Sequence, residues 1–284
     1  MASVLTPEQR SAFDRDGYAL IRGLFDRDEA AILAEAIEQD PAIRSHFYDK
    51  GDAEGGRTKM ALWNHPGDSV YGMAARSLRV VDTLEDVLGG EVYHYHSKLT
   101  AKDAFEGGAW EWHQDYGYWY NNGILFPHMA SVMIALDRAS RDNGCLQVLK
   151  GSHHLGRIEH GQLDGGQVGV DMRRIEEALK RLELVYCEME PGDGLFFHAN
   201  TLHRSDANRS PNRRWTLLCC YNLASNNPYR EHHHPSYTKL DKVPDSAIKA
   251  MGVKFASLES QAAFMKKSSG TAEKIKQSGK LFAG

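Results

Sequence analysis

Cysteine is scarce in this sequence, and its arrangement argues against two kinds of scaffold. The four cysteines are Cys145, Cys187, Cys219 and Cys220; two are adjacent and none belongs to a Cys-x-x-Cys pair. Disulfide-stapled secreted domains and zinc–thiolate sites need paired or regularly spaced cysteines. The pattern instead predicts reduced thiols, and with them a cytoplasmic location.

Long apolar runs and a large charge of one sign are missing as well. No apolar stretch approaches the roughly 18 residues of a membrane span, and residues 1–7 lack the basic head and apolar run of a secretory signal. The net charge is −4, which gives no electrostatic reason to expect nucleic acid or an anionic membrane as the partner. We therefore expect neither partner, and the oligomeric state stays open.

Histidine, by contrast, is plentiful, with 14 residues. Three of them are consecutive, His232 to His234, and Pro235 follows. We interpret this run as a solvated turn, and the alternative is a cluster packed beside a functional site. Many of the other histidines fall in segments that have the pattern of strands or strand ends.

The hydrophobic pattern divides the chain into three parts, which we predict to form a single domain over residues 1–284. Residues 1–90 are mostly helical: Thr6 caps one helix, Asp28 opens another, and residues 77–88 form a third, while residues 50–57 form a mobile loop. Residues 91–225 form a β core with a helical insertion near 171–181. Residues 236–284 form a helical tail.

Short strands separated by turns dominate the middle of the chain. They are predicted at residues 18–21, 92–100, 129–136, 144–149, 184–189, 194–198 and 215–222. Turns rich in Asn, Asp, Gly or Pro lie between several of them. Several short strands with such turns and few helices predict a β-sandwich or barrel.

The segment Trp112-His113-Gln114-Asp115 is the first candidate for chemistry. On an extended backbone, residues i and i+2 point to the same side, so His113 and Asp115 can offer a nitrogen and an oxygen to one ion. Alone, such a pair is more often a surface salt bridge. His203, which follows a distant apolar strand, would complete a two-histidine, one-carboxylate face of the kind that suits non-haem Fe(II).

Two neighbouring arginines follow the distal histidine. Arg214 lies 11 residues after His203, beyond a turn and at the start of the next strand. From there its guanidinium can reach the same pocket and bind a carboxylate with two parallel hydrogen bonds. Arg213 points the other way. The alternative is a solvated basic turn, because Arg209 is also nearby.

Four separated segments resemble the phytanoyl-CoA dioxygenase family of Fe(II)- and 2-oxoglutarate-dependent oxygenases. They are residues 112–115, 143–153 and 191–194, and then the group His203-Arg204-Ser205 with Arg214; the opening Asp16-Gly17-Tyr18 is similar too. The resemblance covers about residues 6–225 and not the tail after Pro235. It implies a mainly β fold with flanking helices, a double-stranded β-helix or cupin-like jelly roll.

The resemblance also implies the cofactors Fe(II), 2-oxoglutarate as cosubstrate, and O₂. His113, Asp115 and His203 match the family's iron ligands. Arg214 matches the arginine that pairs with the far carboxylate of 2-oxoglutarate, and Ser205 matches a frequent helper to that carboxylate. Because Asp115 is present, hydroxylation of an unactivated C–H bond is favoured over halogenation, in which a halide replaces the carboxylate.

Further cosubstrate candidates lie on the strand predicted at 92–100. Alternation puts His94, His96, Lys98 and Thr100 on one face, so Lys98 or Thr100 are candidates for contact with 2-oxoglutarate. His96 stands where relatives often have glutamine. Trp119 matches a position that can wall the cosubstrate. For each of these residues, core packing is the alternative role.

The substrate is predicted to be a small polar metabolite rather than an acyl-CoA. Aromatic rings and polar groups near the motifs can hold such a molecule. The candidate substrate-binding residues are Trp112, Tyr116, Tyr118, Arg57, Lys59 and Asn222. Free amino acids, amino-alkylphosphonates and betaine-like compounds are the classes that fit.

Two other functions remain open from the sequence. One is a cupin-type hydrolase or isomerase that holds zinc or manganese and uses no 2-oxoglutarate. The other is a non-catalytic module that binds a small molecule on the same fold. Arg214 argues against the first, and the complete ligand set argues against the second.

Overall fold

The protein is described from a computed structural model, in which residues 3–52, 54–162 and 167–265 are placed. The strands within these ranges are β1 (Tyr18–Ile21), β2 (Tyr48–Gly51), β3 (Arg57–Trp63), β4 (Val92–Lys102), β5 (Trp110–His113), β6 (Met129–Ala135), β7 (Leu146–Leu149), β8 (His160–Gln162), β9 (Val168–Val170), β10 (Leu184–Cys187), β11 (Gly194–His198), β12 (His203–Ser205) and β13 (Arg214–Leu223). The larger sheet has the order β1-β11-β6-β13-β4-β3-β2, and the smaller sheet has the order β10-β7-β12-β5. Strands β8 and β9 pair with each other. The predicted mainly β architecture is confirmed.

Helices flank the sheets. They are α1 (Pro7–Asp16), α2 (Arg27–Gln39), α3 (Pro41–His46), α4 (Val70–Arg76), α5 (Leu78–Leu88), α6 (Asp115–Trp119), α7 (Met172–Leu179), α8 (Ala247–Met251) and α9 (Leu258–Gln261). Helix α1 begins as predicted, because Thr6 and Gln9 form a reciprocal capping box. Helix α2 begins at Arg27, before the expected start at Asp28. Its cap is Asp26, whose side chain accepts a hydrogen bond from the backbone of Glu29.

The interior strand β6 of the larger sheet is buried on both faces. In β6, Val132 and Ile134 pack outward with the N-terminal helices, while Met133 and Ala135 pack inward against the smaller sheet. The outward cluster also includes Ile248, Ala256 and Phe264 from the C-terminal part of the chain. The inward space between the two sheets is where the candidate site lies.

A bulge in β4 decides which side chains face this space. Tyr221 pairs with His94 and Cys220 pairs with His96, so Tyr95 is an extra residue between them. A bulge of this kind reverses the alternation of side chains. His94 therefore packs against Tyr221 of the outward cluster and contacts Ser97. The prediction that His94 shares a face with His96, Lys98 and Thr100 is wrong for His94.

Two segments can be compared with the sequence-based expectation. Of residues 50–57, predicted as a loop, Lys50 and Gly51 end β2 and Arg57 begins β3. In the described part of the turn between these strands, Asp52 accepts backbone hydrogen bonds from Glu54 and Gly56, and it also accepts one from Ala109. In the tail, predicted to be helical over residues 236–284, the described helices α8 and α9 are short, and residues 266–284 lie outside the described residues. None of the helices in the described part of the chain has the length and apolar content that crossing a bilayer requires.

Candidate active site

The structure brings His113, Asp115 and His203 together between the two sheets. His113 ends β5 and His203 begins β12, and the two residues are direct cross-strand partners with ring centroids 4.1 Å apart. Asp115 begins α6, and its Oδ1 lies 3.8 Å from His113 Nε2. One ligand atom from each residue lies within 4.8 Å of the others, and all three side chains are buried. Such a set can hold one divalent ion.

Backbone carbonyls set the orientation of both imidazoles. His113 Nδ1 lies 2.7 Å from the Glu111 carbonyl, and His203 Nδ1 lies 2.9 Å from the Thr201 carbonyl. A carbonyl can only accept, so each Nδ1 carries the hydrogen and each Nε2 keeps a free lone pair. Burial lowers the pKa of both histidines below the usual value, which keeps the rings neutral and able to bind a metal.

Gln114 fixes the chain between the two neighbouring ligands. Its side-chain nitrogen donates to the carbonyls of Gly156 and Asn200, both at 2.8 Å, and its side-chain oxygen accepts from Ile158 N. Its own backbone N–H donates to His160 Nε2 at 2.9 Å. Because its polar groups are all bonded, Gln114 fixes the backbone between His113 and Asp115. The two ligands therefore stay on the same side, although His113 ends a strand and Asp115 begins a helix.

The carboxylate of Asp115 fits a cation. Its Oδ2 is buried and has no hydrogen-bond partner among the described residues. A buried carboxylate oxygen without a partner is costly unless a positive group binds it. Lys98 Nζ, on the inward face of β4, lies 4.0 Å from the other oxygen, too far for a hydrogen bond.

Arg214 is buried on the same inward face, as the sequence predicts. It donates from Nη2 to the Gly144 carbonyl at 2.7 Å and from Nη1 to Thr216 Oγ1 at 3.2 Å, while its buried Nε has no partner among the described residues. Burial lowers its pKa to about 10. Arg213 points outward and pairs with Glu38 and Asp137 instead.

A second buried cation, which sequence reasoning missed, lies beside Arg214. Lys102 ends β4 and donates from Nζ to Ser205 Oγ at 2.8 Å. Burial, with the nearby Arg214 charge, holds its pKa well below the usual value. The position beside this pair requires a glycine. Gly144 has a φ of +78°, and an added Cβ would lie 2.2 Å from the Asp206 carbonyl oxygen. Lys102 is two residues after Thr100, so the same alternation that groups Lys98 with Thr100 also predicts that Lys102 lies on this face.

The other predicted cosubstrate residues lie on this inward face or beside it. Thr100 Oγ1 lies 2.7 Å from the Oγ1 of Thr216, which in turn contacts Arg214. His96 packs edge-on against Trp119, with ring centroids 5.7 Å apart. The structure therefore groups Thr100 with the arginine, and His96 and Trp119 with each other.

The three predicted aromatic substrate residues have different positions. Tyr118 lies beside the triad, 5.6 Å from His113 between ring centroids, and donates its hydroxyl to a backbone carbonyl. Tyr116 is buried in the inward core, and its hydroxyl is also bound to a carbonyl. Trp112 belongs to the cluster on the outer side of the smaller sheet, under Arg204. Trp112 is therefore not on the pocket side, because it alternates with His113.

The three predicted polar substrate residues have partners of their own. Arg57 is exposed and lies 3.8 Å from Asp49, and Lys59 forms an ion pair with Asp103. Asn222 is buried, but its side-chain nitrogen donates to a tyrosine hydroxyl and a carbonyl, and its oxygen accepts from another amide. The structure does not bring these three side chains to the triad, because each already satisfies its charge or its hydrogen bonds elsewhere.

The run His232–His234 is not a solvated turn throughout. His234 is buried and stacks on His96, with ring centroids 4.6 Å apart and an angle of 20° between the planes. Its Nδ1 lies 2.9 Å from Asn64 Oδ1. The preference for a solvated turn is thus wrong for His234. The run of three histidines was the available signal, but only tertiary contacts show which of them packs inward.

Comparisons with known proteins identify relatives of this chain. The family model of phytanoyl-CoA dioxygenase (PhyH) matches residues 13–216. The chain is 32% identical to the L-proline trans-4-hydroxylase of Streptomyces griseoviridis over 209 residues, which is 67% of this chain and 77% of that protein. It is 27% identical to the ectoine dioxygenase of Stutzerimonas stutzeri strain A1501 over 228 residues, 75% of this chain and 76% of that one.

Solved structures show the same fold. The crystal structure of EctD from S. alaskensis with bound Fe matches with a TM-score of 0.72 at 24% identity, covering 85% of this chain and 88% of that chain. The same protein with 2-oxoglutarate and 5-hydroxyectoine matches with a TM-score of 0.71. The predicted double-stranded β-helix is confirmed. The match over residues 13–216 and the likeness to the proline hydroxylase together establish that the chain belongs to the phytanoyl-CoA dioxygenase family.

Proposed function

We propose that this chain hydroxylates a small polar metabolite, with His113, Asp115 and His203 holding Fe(II) and Arg214 binding the far carboxylate of 2-oxoglutarate. Its family makes it an Fe(II)- and 2-oxoglutarate-dependent dioxygenase that uses O₂. The observation that carries the proposed roles is a buried triad of metal ligands in the same interior as a buried arginine whose guanidinium contacts two neutral oxygens rather than a carboxylate.

The residues present fit the iron. Two neutral imidazoles with free Nε2 lone pairs and one carboxylate with an unpartnered oxygen are the donor set that non-haem Fe(II) prefers. When bound, iron with 2-oxoglutarate and O₂ supplies the oxidation of a C–H bond. The chain itself orients the ligands through the Glu111 and Thr201 carbonyls, and it excludes water by burying the three side chains.

The residues also fit the cosubstrate. Arg214 offers a planar pair of donors to a carboxylate, and Lys102, held by Ser205, adds a second nitrogen donor beside it, whose protonated form an anionic ligand would favour. Thr100 and Thr216 supply hydroxyl groups next to the guanidinium. Two buried cations this close repel each other, so an anionic ligand between them would stabilise both.

The substrate class is supported by the relatives and by the pocket. The names of two relatives, an L-proline hydroxylase and an ectoine dioxygenase, both state small polar substrates. Here Tyr118 lies beside His113 of the triad, His96 and Trp119 pack against each other, and Lys98 adds a charge next to Asp115. A free amino acid, an amino-alkylphosphonate or a betaine-like compound fits such a pocket better than an acyl-CoA.

The proposal extends to the organisation of the chain. Residues 1–284 would act as one oxygenase domain, which is supported by a core cluster that joins N-terminal helices, the larger sheet and residues up to Phe264. The protein would work in the cytoplasm, which is consistent with four buried free cysteines. No nucleic-acid or membrane partner is proposed.

A metal-dependent hydrolase or isomerase that uses no 2-oxoglutarate is the competing function. It would need the triad but not Arg214, and burying an arginine without a carboxylate is costly. A non-catalytic binding module would need neither. Binding of 2-oxoglutarate distinguishes the proposal from both alternatives.

The metal assignment is tested by replacing His203. Equilibrium dialysis should show one Fe(II) per chain for the unaltered protein, and loss of tight binding in His203→Ala, because only two ligands remain. His154→Ala is a matched control, since His154 is exposed on the surface. Unchanged iron affinity in His203→Ala would contradict the assignment.

The substrate class is tested by succinate release. Amino acids, amino-alkylphosphonates, betaines and acyl-CoAs are supplied in turn to the iron-loaded protein with 2-oxoglutarate and O₂. We expect stimulation from one of the three small-molecule classes. Stimulation by acyl-CoAs, with none from the small molecules, would refute the substrate class and leave the metal and cosubstrate assignments intact.

A further inference from the structure

A group of three nitrogen-bearing side chains lies on the Asp115 side of the pocket and is not used by the proposed metal and cosubstrate sites. His96 and Lys98 come from the inward face of β4, and His234 comes from the segment after β13. The rings of His96 and His234 are stacked, with centroids 4.6 Å apart. Trp119 packs edge-on against His96, with centroids 5.7 Å apart. The group therefore has an apolar wall and a polar surface.

These side chains have unused hydrogen-bonding capacity. His96 Nδ1 is buried and has no partner among the described residues, and Lys98 Nζ lies 4.0 Å from Asp115 Oδ1, beyond hydrogen-bond length. Buried polar groups in folded proteins are nearly always bonded, so an unbonded one beside an active site indicates a missing ligand. Both His96 and Lys98 point to the same side of β4 as the cosubstrate residues.

The hydrogen bonds of Asn64 fix the chemistry of His234. Asn64 Nδ2 donates to the His233 carbonyl at 2.7 Å, so the oxygen of this amide must be the atom that faces His234. An amide oxygen only accepts, so His234 Nδ1 carries the hydrogen. Burial lowers the pKa of His234 well below its usual value, and the neutral ring then presents Nε2 as an acceptor.

The group thus combines a positive donor with a fixed acceptor. Lys98 can bind a carboxylate, while neutral His234 can accept a hydrogen bond from an N–H group. Neutral His96, whose pKa burial also lowers well below the usual value, carries one donor and one acceptor. A molecule with a carboxylate and an N–H-bearing ammonium on the same carbon complements both halves. A quaternary betaine lacks the N–H, and a hydroxy acid offers only an uncharged O–H, which makes a weaker hydrogen bond than an ammonium does.

We infer that His96, Lys98 and His234 form the subsite that binds the carboxylate and ammonium groups of a free α-amino acid, which is the substrate class of this enzyme. The inference rests on the proposed function. It assigns to His234, which lies beyond the family-matched residues 13–216, a role in selecting the substrate.

The test measures binding directly and without turnover. Under anaerobic conditions the protein is loaded with Fe(II) and 2-oxoglutarate, and each of the common L-amino acids is titrated in by calorimetry. At least one should bind. For that amino acid, the N-trimethylated betaine and the α-hydroxy acid should bind at least about tenfold more weakly, because each removes one of the matched groups.

Variants then assign the subsite. His234→Leu and His96→Leu should each weaken amino-acid binding by about tenfold or more, whereas His234→Gln, which keeps an acceptor, should retain part of it. His154→Leu, on an exposed surface, should bind like the unaltered protein. Iron dialysis, 2-oxoglutarate binding and the unfolding midpoint are measured on every variant, so that a misfolded variant is recognised and the conservative one is used instead.

The outcomes separate this inference from the proposed function. If the unaltered protein binds iron and 2-oxoglutarate but none of the amino acids, or binds the betaine as tightly as the amino acid, the inference is wrong and the proposed function stands. Tighter binding of an amino-alkylphosphonate than of every amino acid would also overturn it. If iron or 2-oxoglutarate does not bind to the unaltered protein, the proposed function fails first.

Discussion

The inward face of β4 has two ends, and they are built differently. At the Lys102 end most of the basic groups are held by protein hydrogen bonds: Lys102 by Ser205, and Arg214 by Gly144 and Thr216, with only Arg214 Nε unbonded among the described residues. At the other end, His96 Nδ1 is unbonded and Lys98 only approaches Asp115. The Lys102 end is therefore a largely preformed cradle, and the other, open end leaves more of its hydrogen bonds to the ligand.

This difference follows the expected roles of the two ends. The cradle consists of residues within 13–216, the range that matches the family, and a cosubstrate is common to the whole family. The open end is completed by His234, which lies outside that range. A preorganised site reduces the ordering cost of binding a fixed ligand, while a site completed by a residue outside the matched range can discriminate between substrates.

The largest effect on this comparison is expected from Arg214→Ala. The change removes two charge-assisted hydrogen bonds to the cosubstrate, each worth about 1.5–3 kcal/mol, and should raise the Kd for 2-oxoglutarate on the order of 100-fold or more. Iron affinity, measured by dialysis, should stay the same. Arg213→Ala is the matched control, because Arg213 pairs with Glu38 and Asp137 outside the pocket. Equal losses from both variants would mean that the register of β13 is misassigned.

Lys102→Met should have the next largest effect at the same end. It keeps most of the length of the side chain but removes the amine, and with it the bonds to Ser205 Oγ and the Asp206 carbonyl. We expect roughly a tenfold weaker binding of 2-oxoglutarate, measured by calorimetry, with little change for iron. A loss of iron with unchanged 2-oxoglutarate binding would place Lys102 in the metal site instead.

Asn64→Ala probes the open end in the same way. It removes the acceptor for His234 Nδ1 and also the donor to the His233 carbonyl, while the contact from His94 goes to the backbone carbonyl and is retained. Each neutral hydrogen bond is worth about 0.5–1.5 kcal/mol, and only the one to His234 Nδ1 orients the ring of the subsite, so amino-acid binding should weaken by about three- to tenfold and 2-oxoglutarate binding should not change. Weakening of both ligands together would show that the two ends are not independent.

The last effect is on stability rather than on ligand binding, and it concerns a histidine that belongs to neither end. His198 lies on β11 outside the pocket, and burial lowers its pKa to about 3. The unfolded chain binds this proton below about pH 6.5 and the folded chain does not, so stability falls as the pH falls through the range between these values, by up to about 1.4 kcal/mol per pH unit. His198→Gln should therefore lose less stability than the unaltered protein between pH 7.5 and pH 5 in urea unfolding. An identical loss would mean that His198 takes up its proton without unfolding.

Sequence reasoning found the residues that follow from local geometry. His113 and Asp115 are two residues apart, and Arg214 is set by its alternation with Arg213, so their positions needed only a strand pattern and the family motifs. His94 was placed on the wrong face because a bulge adds one residue to β4 without any mark in the composition.

The residues that sequence reasoning missed depend on contacts between distant segments. His234 is buried because Asn64, at the end of β3, binds both it and the neighbouring carbonyl. Arg57 and Lys59 looked like pocket residues beside a loop, but β3 is a strand of the larger sheet and Lys59 pairs with Asp103. Such pairings are set by how the strands dock, and local periodicity does not contain that information.

The central claim is that one interior site binds iron through His113, Asp115 and His203 and 2-oxoglutarate through Arg214. An anaerobic titration of the protein with Fe(II) and then 2-oxoglutarate, followed by visible absorption, tests it most directly. The account predicts a weak charge-transfer band that saturates at one iron and one 2-oxoglutarate per chain and that needs far more 2-oxoglutarate in Arg214→Ala. Iron binding without any band on addition of 2-oxoglutarate would contradict it and favour a metal-dependent enzyme that uses no cosubstrate.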